Sequence, residues 1–388
     1  METTSKYVMN TYGRLPVALV KGKGTKVWDA EGKEYLDFIS GLAVNSLGHS
    51  HPRVVKAIWR QADTLMHVSN LYHIEPQGQL AKLLVENSSA DKVFFCNSGA
   101  EANEAAIKLT RKYAKQNLGK DKYEIITAKQ SFHGRTLATI TATGQEKFQQ
   151  GYDPLPEGFK YVPFNDLEAL KKAIGPQTCA VMLEPVQGEG GVYPASKEYL
   201  KGVKDLCQQQ NLLLIFDEVQ CGLGRTGEFL ASQLYQVEPD ITTLAKALGN
   251  GFPIGAMMAK EDVAVFKPGD HATTFGGNPL ASTAALATMQ VMLDEGVINN
   301  AREMGRYFKD KLNSLAEKHS QIKEIRGAGL MIGVELETEG QSIVNYCREQ
   351  GLLINCVGSS ILRFLPPLTV KEKEIDTAID ILDKAMGG

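Results

Sequence analysis

Five short, largely apolar runs mark the middle of this 388-residue chain: Val93–Phe95, Glu124–Thr127, Val181–Leu183, Leu212–Phe216 and Ile241–Leu244. Each is too short for a helix, and helix-favouring sequence separates each from the next. Runs of this kind belong to strands buried on both faces, and strands joined through helices pair in parallel. The chain is thereby constrained to an α/β architecture, with a mostly parallel central sheet covered by helices on both sides. Pro76–Asn87 and Lys197–Gln210 are two of the covering helices. In the helix after Ser98, Ala102, Ala106, Leu109 and Tyr113 recur at spacings of 4, 3 and 4 and form one apolar face. Lys108, Arg111, Lys112 and Lys115 lie off that stripe and read as a solvated face.

The two ends have a different texture. Val17–Val20 and Lys26–Trp28, either side of Gly22 and Gly24, read as short strands joined by a turn. Leu280–Leu293 and Glu303–His319 are helical patterns, followed by strand-like Met331–Leu336 and Ile361–Leu365 with a helix between them and another at the end. Two domains suit the length. We read residues 1–45 and 288–388 as a smaller α+β domain built from both chain ends, and 46–287 as the large domain. A formal net charge of −3 and a pI near 6.2 point away from nucleic-acid and membrane-surface partners. The first residues lack a signal-peptide apolar core, and no apolar run nears the ~20 residues of a membrane helix. The six cysteines are scattered without CxxC spacing, as reduced thiols of a cytoplasmic protein would be. His49 and His51 have no further ligands close by, so no metal site is expected.

Ligands of open parallel sheets bind beyond the carboxyl ends of the strands, which directs attention to the residues following each run. After Val93–Phe95 come Asn97, Ser98, Gly99 and Ala100, opening a helix whose first amides and dipole suit a phosphate. Ser and Asn are also ordinary helix caps. After Leu212–Phe216 come Asp217, Glu218, Val219 and Gln220. A carboxylate at a buried strand end needs a cation, such as a protonated pyridine nitrogen, or else solvent. After Ile241–Leu244 comes Lys246, flanked by Ala245, Ala247, Leu248 and Gly249. Desolvation would make that amine a nucleophile toward aldehydes, whereas most lysines snorkel to water. One ligand could touch the cradle, the acid and the lysine together. Phe132 and Arg135, after the strand near Ile125, offer an aromatic face and an arginine for a carboxylate, although alone the one is ordinarily core and the other a surface charge. Glu184 and Glu189 follow Val181–Leu183 in a Gly-rich loop. Gly222-Leu223-Gly224-Arg225-Thr226-Gly227 matches the dinucleotide fingerprint, but it neither follows its strand directly nor opens a helix, so a dehydrogenase is set aside.

Seven segments, taken in order, resemble the class III aminotransferases over essentially the whole chain: Asn97–Ala102, Phe132–Thr136, Glu184–Glu189, Asp217–Gln220, Leu244–Gly249, Thr273–Pro279 and Leu362–Phe364. The resemblance implies the aspartate aminotransferase-like fold (pyridoxal-phosphate transferase fold type I), with pyridoxal 5′-phosphate as cofactor. It implies that Lys246 carries the cofactor and moves the reaction's proton, while Asp217 keeps the pyridine nitrogen protonated. Phe132 would stack on the ring and Gln220 would bond its phenolic oxygen, with Glu184, Glu218 and Val219 completing the surroundings. Ser98, Gly99 and Ala100 would hold the phosphate, joined by Thr274 of the partner subunit in a homodimer that shares its active sites. Arg135 would clamp a donor's α-carboxylate or the distal carboxylate of 2-oxoglutarate. Arg363 would take the oxo acid's α-carboxylate, masked by Glu189 while the donor is bound, and Thr273 and Tyr12 are further substrate contacts. Within the class the chain is most similar to the branch acting on N2-acetylornithine. Gly41 stands where ornithine-specific members carry tyrosine, which leaves room for an acyl group. Free ornithine, succinylornithine, N-succinyl-diaminopimelate and 4-aminobutyrate stay open as donors.

Overall fold

A computed structural model describes residues 1–387. Its central sheet has seven strands: β1 (Lys92–Cys96), β2 (Glu124–Ala128), β3 (Phe159–Val162), β4 (Thr178–Leu183), β5 (Leu213–Asp217), β6 (Ile241–Leu244) and β7 (Gly255–Ala259). Their spatial order is β1-β7-β6-β5-β4-β2-β3. Pairing is parallel from β6 through β5, β4 and β2 to β3, while β7 runs antiparallel to both β6 and β1. Because β7 is reversed against both neighbours, β1 points the same way as the parallel strands, and the carboxyl ends of all six open on one edge. Strands β2, β4, β5, β6 and β7 are buried along their whole length. Burial on both faces removes regular polar alternation, so four of them stand out in the sequence as short, largely apolar runs.

The helix Gly99–Asn117 leaves β1 at that edge, and Ser98 caps it by accepting the Glu101 amide at 3.1 Å. Its face of Ala102, Ala106 and Leu109 is fully buried on the sheet, and Tyr113 is half-buried. Arg111 departs from the expected solvated face. Its stem lies inward and its guanidinium donates to the carbonyls of Tyr123 and Glu157, which satisfies the head without a carboxylate. The helix Lys197–Gln210 has the expected limits and ends on left-handed Asn211.

Both chain ends share one small sheet, where Leu352–Leu353 pairs in parallel with Glu34–Asp37 beyond the antiparallel strands Leu19–Lys23 and Lys26–Asp29. A second four-stranded sheet joins Ile322–Ala328, Met331–Leu336, Ile361–Phe364 and Asn355–Val357. One apolar core runs from Phe38 through Leu244 and Leu248 to Phe308 and Phe364, so these sheets are packed onto the central one. Among the described residues no helix is long and apolar enough to cross a membrane, and all six cysteines are free.

Candidate active site

A cavity of about 430 Å³ opens at this edge, where β1, β2, β4, β5 and β6 end. Ser98, Gly99 and Ala100 reach it from β1, Phe132 and Arg135 from β2, and Glu184 and Glu189 from β4. Asp217, Val219 and Gln220 reach it from β5, and Lys246 from β6. Residues separated by up to 148 positions, from Ser98 to Lys246, thus meet because each follows a strand of the same sheet.

Asp217 is the last residue of β5 and is 3% exposed. Its Oδ1 accepts the Val219 amide at 3.0 Å, and its Oδ2 accepts Asn103 Nδ2 and faces His133 Nδ1, each at 2.8 Å. A carboxylate only accepts, so Nδ1 is the protonated nitrogen of His133. Asn103 also donates to the His133 carbonyl at 2.7 Å and accepts the Thr243 hydroxyl at 2.7 Å. The acid is therefore held in one orientation by groups from the helix Gly99–Asn117, the loop after β2 and β6. Burial alone would push the His133 imidazole down, but the bond and charge of Asp217, with Glu184 behind, raise it above its ordinary value. His133 Nε2 is buried without a partner.

Lys246 opens a short 3-10 turn, with φ of 43°, and is half-buried at the cavity wall. Burial lowers its pKa, Glu189 opposes that shift, and Arg363 reinforces it. The result is an amine more readily neutral than an ordinary lysine, as a nucleophile requires. Glu184 accepts the Phe132 amide at 3.0 Å and the Gly188 amide at 3.3 Å, so it fixes two loops. Burial pushes its carboxyl up to about 7, with His133 opposing and Asp217 adding to the shift.

Beside the lysine, Glu189 Oε1 meets Arg363 Nη1 at 2.6 Å and accepts Gln220 Nε2 at 3.0 Å. Arg363 is 1% exposed and also donates to the Gly188 carbonyl at 3.2 Å and to Asn355 at 3.3 Å. Burial would raise the Glu189 carboxyl, yet Arg363 and Lys246 carry it down to about 2. Arg135, by contrast, is exposed, lying over the rings of Phe132 and Phe148 at 5.5 and 4.1 Å, and no carboxylate pairs with it among the described residues. Phe132 meets Phe148 edge-on at 5.8 Å.

Five of the expected residues stand apart from the cavity wall. Glu218 points away and caps the amides of Ala231 and Ser232, and burial pushes its carboxyl up to about 7. Arg363 sits behind Glu189. Thr273 is one layer back, its hydroxyl accepting Asn97 Nδ2 at 3.3 Å and the Gly276 amide at 3.2 Å. Thr274 is exposed to solvent, and Tyr12 is 70% exposed on the N-terminal segment. Conversely, Asn103, His133 and Thr243 have no place among the sequence-derived site residues. The available signal for Asn103 was an amide one position from the apolar stripe of its helix, where a buried polar group needs partners. Val44 also lines the cavity, presented by a left-handed turn at Ser40–Ala43 whose start is pinned by Asp37 accepting the amides of Ile39 and Ser40.

The donor set fits pyridoxal phosphate: helix amides for an anion, a buried carboxylate for a cationic nitrogen, an aromatic face and a desolvated amine. Together, fold and site define a pyridoxal-phosphate-type transferase. A family model described as aminotransferase class-III matches residues 7–386, and the chain belongs to the class III aminotransferases. The acetylornithine aminotransferase of Caldanaerobacter subterraneus subsp. tengcongensis is 57% identical over 382 residues, covering 98% of this chain and 97% of that protein. An ornithine aminotransferase structure from Toxoplasma gondii, with partial occupancy of PLP at its active site, has a TM-score of 0.95 at 37% identity, over 99% of this chain and 93% of that one. The N-acetylornithine aminotransferase of Stenotrophomonas maltophilia K279a has a TM-score of 0.85 at 39% identity, over 99% and 98%. The expected fold type I is thus the fold of this chain.

Proposed function

We propose that this protein is a pyridoxal-phosphate-dependent transaminase that moves the side-chain amino group of N2-acetyl-L-ornithine to 2-oxoglutarate. The products are N-acetyl-L-glutamate 5-semialdehyde and L-glutamate, which places the reaction in arginine biosynthesis, in the cytoplasm. The observation that carries this reading is the convergence of Lys246, the braced Asp217 and the Ser98–Ala100 helix terminus on one cavity. The relatives named above support the choice of donor, and so does Gly41.

When bound, the cofactor supplies a ring that withdraws electrons from the reacting carbon. Asp217, braced by His133 and Asn103, holds a proton on the pyridine nitrogen. The Gly99 and Ala100 amides and the Ser98 hydroxyl bind the phosphate, with Thr274 of the partner subunit. Phe132 would supply an aromatic face for the ring, and Gln220 a hydrogen bond for its phenolic oxygen. Lys246 would bear the cofactor, and its Nζ would carry the proton taken from the donor carbon. Arg135, unpaired at the cavity mouth, orients the donor's α-carboxylate and later the distal carboxylate of the oxo acid. Arg363 takes the oxo acid's α-carboxylate when Glu189 yields it.

A homodimer agrees with the exposure of Leu71 (85%), Tyr72 (69%) and Phe275 (61%), the last of which adjoins Thr274. We infer the division into 46–287 and a smaller unit from both chain ends as well, which the shared sheet of Glu34–Asp37 and Leu352–Leu353 supports.

Comparing kcat/KM for acetylornithine, ornithine, succinylornithine and 4-aminobutyrate tests the donor, and a preference for free ornithine overturns it. Purified protein should show the visible absorbance of lysine-bound cofactor and lose it in Lys246→Ala. A protein that stays colourless with added pyridoxal phosphate refutes the cofactor assignment.

A further inference from the structure

Arg225 is the largest wholly buried side chain of the described residues, at 0% exposure, and no carboxylate pairs with it. Desolvation alone acts on its guanidinium and pushes the pKa down to about 9. Its Nη1 donates to the carbonyls of Leu330 at 3.0 Å and Pro366 at 2.6 Å, its Nη2 reaches Ser46 Oγ at 3.4 Å, and its Nε has no partner. An apolar side chain of similar volume would fill this space without the penalty of burying an unpaired cation. What the guanidinium adds is a rigid planar fork that holds its acceptors in fixed relative positions.

Those acceptors lie at the roots of segments that build the site. Pro366 follows Arg363 by three residues, Ser46 follows Val44 by two, and Arg225 itself follows Gln220 by five. Leu330 precedes Met331–Leu336, whose Gly333 is paired with Arg363 in the sheet. The same crossing is tight in the backbone: the Leu330 amide donates to the Arg225 carbonyl at 3.0 Å, and Leu368 donates to Ser46 at 2.7 Å. Gly329, at φ +53°, lies so close that a Cβ would come within 2.5 to 2.8 Å of backbone atoms in Thr226, Arg225 and Gly227. The junction therefore has little slack, and the Arg225 side chain is bonded to three of its segments at once.

We propose that Arg225 is a positioning residue for oxo-acid recognition: its fork sets Arg363 against Glu189 and Gln220, without touching substrate or cofactor. This rests on the reading above, in which Arg363 receives the oxo acid's carboxylate. In Arg225→Lys a single ammonium replaces the fork and keeps the charge but not the spacing of two donors.

The test is made on the holoenzyme, following each half-reaction separately. Arg225→Lys should retain cofactor absorbance and melting temperature close to the parent, raise the KM for 2-oxoglutarate on the order of tenfold, the worth of about one hydrogen bond, and leave the donor half-reaction within about twofold. Arg225→Met should exceed it in the same direction. If the Met variant does not fold, the Lys variant decides alone. Equal losses in both half-reactions, or loss of cofactor from Arg225→Lys, assign Arg225 a merely structural role and overturn the proposal, as does an unchanged KM. Arg363→Lys in parallel separates the two ideas: if it leaves the 2-oxoglutarate KM unchanged, the reading of Arg363 fails, and Arg225 loses its object with it.

Discussion

Replacing Glu189 by glutamine keeps an acceptor for Arg363 but removes the charge. A carboxyl lowered from 4.5 to about 2 prefers its ionised state by about 3 kcal/mol. That is the net preference left after burial, which opposes it, and an incoming carboxylate must compete against the hold of Arg363, Lys246 and Gln220. The glutamine retains the hydrogen bonds now made at 2.6 Å to Arg363 and 3.0 Å to Gln220, so roughly half of that energy should be released. The KM for 2-oxoglutarate should then fall on the order of tenfold, while the donor half-reaction slows because Arg363 is left open to the donor's own carboxylate. Stopped-flow measurement of each half-reaction reads both effects. Glu189 is a depressed acid, so its contribution to stability is complete above about pH 4.5 and is lost as pH falls toward 2. The difference between parent and variant should accordingly be flat across neutral pH. A 2-oxoglutarate KM that rises, or that moves together with the donor KM, refutes the reasoning.

Three other outcomes are expected. His133→Leu removes the partner of Asp217; since the imidazole pKa is raised from 6.5, the pair stabilises fully below about pH 6.5 and fades as pH rises through the folded value, so the gap in melting temperature should narrow toward alkaline pH. A gap that widens with pH would contradict this. In Gly188→Ala the new Cβ would lie 2.0 Å from Gln220 Oε1, so displacement of Gln220 should cost about 1–3 kcal/mol in denaturant melts and weaken oxo-acid binding. Gly41→Tyr should shift the donor preference toward free ornithine; with φ at +63° it should also cost about 1 kcal/mol of stability, and an unaltered donor ratio would remove Gly41 from specificity.

Strands buried on both faces were legible where their side chains are largely apolar, as β5 shows along Leu213–Phe216. Strand β3 escaped notice because it is an edge, with Lys160 and Tyr161 exposed. Strand β7, Gly255-Ala256-Met257-Met258-Ala259, was missed because small residues and methionine carry little strand signal, and its reversed direction is set by the pairing rather than by its composition. In the site, position beyond the strand ends singled out Ser98, Asp217 and Lys246, while their roles came from the resemblance to the family. Asn103 was not singled out, because its function comes from contacts to Asp217 and Thr243, 114 and 140 positions away. Arg225 was read only as part of a failed nucleotide fingerprint. Its glycines serve a different need: Gly224 packs against Leu368 and Gly227 against Arg302.

The reversal of β7 bears on how Lys246 is tethered. Strands β6 and β7 lie side by side, Leu244 opposite Ala256, so residues 245–254 leave the sheet edge and return to it at once. A parallel crossover would have anchored the lysine on one side only, with the chain departing across the sheet through a helix. Here the segment is an arch with both feet in the same sheet, which restrains its backbone at each end. The amine is thereby kept close to its place on the cavity wall, and in the proposed reaction its return to the cofactor would be an intramolecular event at high local concentration. In the proposed reaction, resetting the enzyme at the end of each full cycle then needs rotation about four carbon–carbon bonds of that side chain.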